Sequence, residues 1–560
     1  MEKKNIGIMA GIFVAVCALI FGGISLTRNL GKTSQTISKE EAKASLSKMV
    51  SRIKPSIGQE FKSSVEFTAE DTTKNELPDI NTCKVVVEPT TDLYAEIFAT
   101  SEKAGSGTDG WMTKMAESFN KSGYKVNGQP VSIKLRQVSS GQSMDYIYTG
   151  AYVPDGYSPS NDLFVSMLNA KGTETKVISD SLVQNTAGIV VKNDVYDKIV
   201  QEYGSIDLGT VTEAVADGKL AMGYTNPFTS AAGLNFLACT LQRYDKKNIL
   251  SEEAVNGFTK FQNNVPFVAL TTTQMRTSAD KGTLDGFIME YQTYINDANL
   301  SKHYKFVPYG YTHNNPLVAT TNDGTKTEIL SAFADFCKSK DAQKKASDYG
   351  FNQNKNYKCE YDPLSGEELL SAQNVYKENK NNGEPVICVF VADVSGSMEG
   401  EPINSLQNAL INSMQYVGKD NYVGLVSYNA DVTIETPLNK FDLAQQAKFK
   451  GSVEHLSAHG STATFDAICV ALDMVNKQLE QTPNAKPLIF VLSDGETNVG
   501  YSLKNTSNVI SGLTIPVHTI GFNADIDALK KISSITEAAT IDASTDDIIY
   551  QLKQMFNAEL

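Results

Sequence analysis

Val386-Ile-Cys-Val-Phe-Val-Ala-Asp393-Val-Ser395-Gly-Ser397-Met398 decides the fold of the carboxyl-terminal third. An apolar, β-branched run of this length predicts a strand buried on both faces. It delivers one carboxylate and two hydroxyls, spaced two apart, into the turn at its carboxyl end, the edge where open α/β sheets bind ligands. Three hard oxygen ligands, with Gly396 allowing a tight turn, suit a small divalent cation such as Mg²⁺. A plain strand-to-helix turn capped by Asp and Ser is the alternative for this stretch taken alone.

Two later stretches supply more of the same chemistry. Gly460-Ser-Thr462-Ala-Thr-Phe-Asp466 follows a polar loop and opens an amphipathic segment, Ala467 to Leu479, which sets Thr462 near a helix start. Leu488-Ile-Phe-Val-Leu-Ser493-Asp494-Gly495 is a second buried strand ending in Ser-Asp-Gly. Order, residue types and separations of about 65 and 32 residues resemble the metal-ion-dependent adhesion site of von Willebrand factor A (VWA) domains. The resemblance implies a doubly wound, Rossmann-like α/β domain. It also implies Ser395, Ser397 and Thr462 touching Mg²⁺ (or Mn²⁺ or Ca²⁺) through hydroxyls, Asp393 and Asp494 acting mainly through bound waters, and a partner protein's carboxylate completing the octahedron.

The surrounding pattern agrees. Asn421–Asn429, Thr514–Gly521 and Ala539–Asp542 read as strands; Asn404–Tyr416, Asp442–Leu456, Ala467–Leu479, Ile526–Ile535 and Thr545–Phe556 read as helices. Strands alternating with helices of that length predict βαβ units in a mostly parallel sheet over 385–560.

A chain of 560 residues exceeds one core, so several domains are expected. The net charge of −14, with no run of five or more Lys and Arg, argues against a nucleic-acid surface. Residues 1–5, with Lys3 and Lys4, are read as cytoplasmic. They precede Ile6–Leu26, 21 residues without a charge. At helical rise that run is about 31 Å, enough to span a bilayer as an uncleaved signal anchor. Cys17 raises a lipoprotein alternative, set against Val16 and an apolar run that continues well past it. Lys and Arg recur just beyond the span, so orientation rests on short flanks. Residues 27–80 are polar, with one helical stretch, Lys39–Arg52, ended by Pro55, and read as a juxtamembrane stalk. Gly31-Lys32-Thr33 imitates the tail of a phosphate-binding loop but lacks its first Gly.

The central region, 81–365, carries a second resemblance. Its phrases are Gly223-Tyr-Thr225-Asn-Pro227…Ser230-Ala-Ala-Gly233, Gly286-Phe-Ile-Met-Glu290-Tyr291 and Phe333-Ala-Asp-Phe-Cys-Lys-Ser339…Gly350-Phe351. They resemble type 2 periplasmic or extracellular solute-binding proteins over most of 90–355, implying two α/β lobes that close on a ligand. Carried over by position, the cleft candidates are Thr100, Ser101, Ser139, Ser140, Thr225, Ser230 and Glu290. For each Ser and Thr a capping role is the alternative, and Glu290 does not suit a sulfate- or phosphate-like ligand. Residues 366–384 read as a linker, helical in its first half, with Asn381-Asn-Gly-Glu-Pro385 as a breaker.

Seven cysteines show no C-x-x-C and no zinc spacing. Cys388 and Cys469 read as core residues, while Cys83 and Cys359 flank the central region, where an extracellular setting would allow a disulfide. His455 and His459 lack the Glu of a zinc motif, and His518 lies in an apolar strand. No nucleophile elbow or Ser/His/Asp order stands out, so a non-enzymatic binding protein is expected. The combination resembles membrane-anchored surface proteins of Gram-positive bacteria, with the bulk of the chain extracytoplasmic. The bilobal domain would sense a small molecule or act as scaffold, and the VWA domain would hold a protein partner. A tethered receptor for an ABC-type transporter, docked through the VWA domain, is the competing reading; contact with an ATPase is disfavoured outside the cell.

Overall fold

The computed structural model describes residues 37–65, 71, 73–265, 267–269, 275, 284–354, 356–381, 383–495, 497–522, 526–535, 538, 540–543 and 548–559. The apolar span expected at 6–26 lies outside them. Among the described residues no helix is long and apolar enough to cross a membrane.

The strand Val386–Asp393 is buried at all eight positions and stands at the centre of a seven-stranded sheet. Across the sheet the order is Ser56–Ile57, Val432–Lys440, Tyr422–Tyr428, Val386–Asp393, Lys486–Ser493, Val517–Phe522 and Thr540–Ala543. Every pairing is parallel except that of Val432–Lys440 with Tyr422–Tyr428. Helices Glu401–Ser413, Leu443–Glu454, Thr464–Gln481, Leu503–Leu513, Ile526–Ser533 and Ile548–Glu559 complete the doubly wound unit. The first starts earlier than its periodicity suggested, because Pro402 sits in the first turn, where a missing N–H costs nothing.

The expected stalk is corrected in part. Helix Lys39–Ile53 places Ala42, Leu46 and Met49 in the core beneath this sheet, with Ile468, Val509 and Leu513. Ser38 caps it in a complete capping box with Glu41. The chain then adds Ser56–Ile57 as an edge strand beside Thr433 and Ile434. Spacing of four and three along Ala42, Leu46 and Met49 makes one apolar stripe, and burial of that stripe holds the segment against the domain.

The central region forms two lobes. One sheet runs Val85–Val87, Ser132–Gln137, Tyr94–Ala99, Gly156–Ser158, Leu317–Ala319 and Lys176–Ser179. The other runs Phe267–Ala269, Met222–Thr225, Gly286–Glu290, Ala187–Lys192 and Tyr304–Pro308. The chain therefore crosses between lobes after Ser179 and again after Pro308. Trp111, Met115 and Phe119, spaced four apart, share the buried face of helix Trp111–Lys121.

Helix Gly366–Asn379, read as part of a linker, is instead packed into the bilobal core through Leu369, Ala372, Val375 and Tyr376. Gly366 permits this approach, since a Cβ there would lie 2.1 Å from the Ser166 carbonyl oxygen. The two halves of the molecule are joined through the carboxyl-terminal helix Ile548–Glu559. Its Phe556 stacks edge-on against Phe390 and Phe490 of the central strands. Its final carbonyls, which have no intrahelical donor, accept from the bilobal side. Lys380 Nζ donates to Phe556 O at 2.8 Å and Asn557 O at 2.6 Å, and the Tyr376 hydroxyl donates to Ala558 O at 3.0 Å. One turn earlier, Lys553 pairs with buried Glu76 at 2.8 Å, and Tyr550 donates to Asp145 at 3.0 Å.

Candidate functional site

Asp393 ends the central strand with its carboxylate fully buried. One oxygen accepts from the Ser395 backbone N–H at 2.9 Å; the other accepts from the hydroxyls of Ser493, at 2.6 Å, and Tyr428, at 3.2 Å. Ser395 Oγ lies 3.1 Å from Ser397 Oγ, and Ser397 donates to Asp494 at 2.8 Å. The turn is fastened to the Thr462 loop by Gly396 N–H to Gly460 O, at 3.0 Å, and His459 N–H to Val394 O, at 2.8 Å. Gly460 adopts φ +81°, a left-handed conformation suited to glycine. Thr462 is held by its backbone, donating to Asn498 Oδ1 at 2.9 Å and accepting from Thr497 Oγ1 at 2.9 Å. The strand-end turn, the Thr462 loop and the Asp494 strand end thus meet at one sheet edge. Ser397 is exposed there and Asp494 half-buried.

The electrostatics of this edge favour a cation. Burial pushes the Asp393 carboxyl above the usual range, hydrogen bonds from Ser395 and Ser493 oppose that, and the nearby charge of Asp494 adds to it. Two carboxylates and three hydroxyls are the hard-oxygen donor set that Mg²⁺, Mn²⁺ or Ca²⁺ takes, so the residues present fit such an ion. Among the described residues no group of three or more His, Cys, Asp and Glu side chains converges; the set here is hydroxyl-rich. Tyr428 and Ser493, which orient Asp393, were not among the sequence candidates. Ser493 stood beside Asp494 in the quoted motif, whereas Tyr428 is brought in only by strand pairing opposite Asp393.

His455 and His459 go separate ways. His455 stacks on Phe61 at 3.7 Å, and His459 faces Asn429 at 3.0 Å. His518 is buried against Phe490.

The bilobal candidates fall into small groups. Thr100 meets Lys103 Nζ at 2.7 Å and Ser160 Oγ at 3.3 Å, and also bonds Glu102. Lys103, absent from the sequence candidates, is fully buried, 3.6 Å from Glu102 and within the influence of Glu290. Desolvation lowers its amine to about 8 against the opposing pull of those carboxylates. Glu290 faces His313 at 3.6 Å across buried surroundings. Thr225 donates to Ser230 at 2.8 Å, and Ser230 caps helix Ala231–Tyr244, so this pair performs the structural role weighed above. Ser139 likewise caps helix Ser140–Thr149. Ser101 is exposed and lines a neighbouring cavity of about 440 Å³ with Glu102, Asp109, Lys114 and Gln137.

The lobes touch: Gly141 N–H donates to Thr229 O at 3.2 Å, Asn161 to Ala231 O at 3.3 Å, and Gln292 to Thr108 O at 2.8 Å. Near these contacts Ser140 Oγ, Ser158 Oγ, Glu290 Oε2 and His313 Nδ1 are buried with no hydrogen-bond partner among the described residues. Native proteins rarely leave such atoms unsatisfied.

The family model for the von Willebrand factor type A domain matches residues 388–557. That for bacterial extracellular solute-binding proteins matches 104–352. The chain joins a VWA domain to a solute-binding-protein-like domain. Over 159 residues it is 30% identical to inter-alpha-trypsin inhibitor heavy chain H3 of Bos taurus, covering 26% of this chain and 17% of that protein. It is 28% identical over 168 residues to heavy chain H1 of Sus scrofa, covering 28% and 18%. The chain thus spans less than a fifth of the length of these relatives. Among solved structures, a von Willebrand factor type A protein from Catenulispora acidiphila is similar over 31% of this chain and 42% of that one, with 20% identity and a TM-score of 0.28. Iron-bound HitA from Pseudomonas aeruginosa is similar over 52% of this chain and 99% of that one, with 14% identity and a TM-score of 0.37.

Proposed function

We propose that this chain is a non-enzymatic extracytoplasmic binding protein, anchored through 6–26, whose VWA domain recognises a partner protein through a divalent cation. Asp393, Ser395, Ser397, Thr462 and Asp494 would hold the cation, which supplies an open coordination position for a partner's carboxylate. The convergence of Ser395, Ser397 and Asp494 at an exposed sheet edge supports this reading most directly. Asp393, fixed by Tyr428 and Ser493, sets the turn that presents both hydroxyls. The test is capture from the native envelope in Mg²⁺, in chelator, and with Asp393→Ala. A protein retained only by wild type in Mg²⁺ supports the reading; no such protein refutes it.

A second reading, a tethered solute receptor for an ABC-type transporter docked through the VWA domain, is favoured by the unpartnered buried polar atoms where the lobes meet. A small polar ligand between the lobes would satisfy them. Ligand-dependent protection of Lys103 and Glu290 peptides from hydrogen exchange would support it.

A further inference from the structure

The two cysteines that flank the central region in sequence both pack against the same core cluster. Cys83 lies 3.9 Å from the Tyr146 hydroxyl. Cys359 lies instead beside Cys239, near enough for each thiol to act on the other.

This encounter is held on both sides. Helix Ala231–Tyr244 and the residues just after it present Cys239, Gln242 and Lys246 to the returning segment 359–362. Gln242 Nε2 donates to Asp362 O at 2.9 Å, and the Tyr311 hydroxyl donates to the same carbonyl at 2.9 Å. Lys246 pairs with Glu360 at 3.0 Å and lies over the Tyr361 ring. Cys359 Sγ also accepts from the Tyr361 N–H at 3.4 Å, while Cys239 Sγ reaches Asn235 Oδ1 at 3.5 Å. Four attachments beyond the sulfurs therefore fix the register of one thiol over the other.

We propose that Cys239 and Cys359 are a disulfide site, which ties the segment leaving the bilobal domain to the second lobe. Cys359 is half-buried and is the accessible member; Cys239 is fully buried. The neighbouring Cys239 lowers the Cys359 thiol from its ordinary range, so Cys359, the accessible member, is the one placed to attack first. With oxidised glutathione, Cys359 attacks one glutathione sulfur, the S–S bond breaks, and one glutathione leaves. Cys239 then attacks Cys359 of the mixed disulfide, its proton passing to the departing second glutathione. Two protein thiols lose two electrons and two protons, and one glutathione disulfide becomes two glutathiones. The bond would close a loop of 119 intervening residues just ahead of helix Gly366–Asn379. It does not depend on the cation reading, which concerns the other domain.

The test is oxidation of the full chain with oxidised glutathione, alkylation of remaining thiols after unfolding, digestion and mass spectrometry. The expected result is a peptide joining Cys239 to Cys359, two fewer alkylated cysteines, and an unfolding temperature roughly 5 °C or more above that of the reduced chain. Cys359→Ser removes the linked peptide, and Cys83→Ser leaves it intact. Full alkylation of both Cys239 and Cys359 after oxidation would overturn the proposal, as would a link from Cys359 to Cys83 or to a second chain.

Discussion

Leu46→Ala is the sharpest perturbation of the fold described here, because the residue belongs to a segment that its polar composition would class as a spacer. Leu46 is 1% exposed and packs among the residues beneath the VWA sheet. Truncating a leucine so enclosed removes transfer energy and leaves a cavity, about 3 kcal/mol in a well-packed core. With a urea dependence of about 2 kcal/mol/M for a domain of this size, the midpoint falls by roughly 1.5 M. Lys48→Ala, on the exposed face of the same helix, should stay within about 0.5 kcal/mol. The two domains need separate probes, since a multidomain chain is not two-state. Trp111, the chain's single tryptophan, is buried in the first lobe with its indole N–H on Ala342 O at 3.1 Å, so its fluorescence follows the bilobal domain. Hydrogen exchange in the strand Val386–Asp393 follows the VWA sheet. Leu46→Ala should shift the exchange transition and leave the fluorescence transition in place. Equal midpoints for wild type and Leu46→Ala at the strand would refute the packing of this helix on the VWA domain.

Other outcomes follow from the buried charges. Glu102→Gln leaves Lys103 buried beside a neutral partner and should destabilise the first lobe by about 3 kcal/mol, read from Trp111 fluorescence in denaturant. Lys380→Met removes the donor to two terminal carbonyls and should cost about 2 kcal/mol, seen as faster exchange in Ile548–Glu559. Burial raises the Asp145 carboxyl to about 6, so the folded chain holds that proton more tightly than the unfolded one. Its contribution to stability is therefore full below pH 4 and lost as pH rises through about 6; Asp145→Asn should flatten this part of the stability–pH profile.

Much of the VWA half was legible because its strands carry continuous apolar runs, with Asp393 and Asp494 at the ends of two of them. Val432–Lys440 was not read as a strand: Val432, Ile434 and Leu438 alternate with Thr433, Glu435 and Asn439, but Pro437 interrupts the run. Leu503–Leu513 was also missed, its short apolar stripe of Val509, Ile510 and Leu513 following a glycine-containing loop. Burial of the helix Lys39–Ile53 could have been found from Ala42, Leu46 and Met49, but the polar composition around them obscured that stripe. Lys103 gave no signal at all: lysine is almost never fully buried, and an adjacent Glu102-Lys103 pair reads as an ordinary solvated turn. Apart from Glu290 the cleft candidates were hydroxyls near turns, and two of them, Ser139 and Ser230, are helix caps, because capping and ligand contact draw on the same residue types.

The most direct measurement is calorimetric titration of fragment 37–560 with Mn²⁺, then Mg²⁺, for wild type, Asp494→Ala, and Ser395→Ala combined with Ser397→Ala. Wild type should bind one divalent cation per chain, with binding lost in both variants but kept in Thr225→Ala. Absence of binding by the folded wild type, or unchanged binding in the variants, would contradict the proposed cation site.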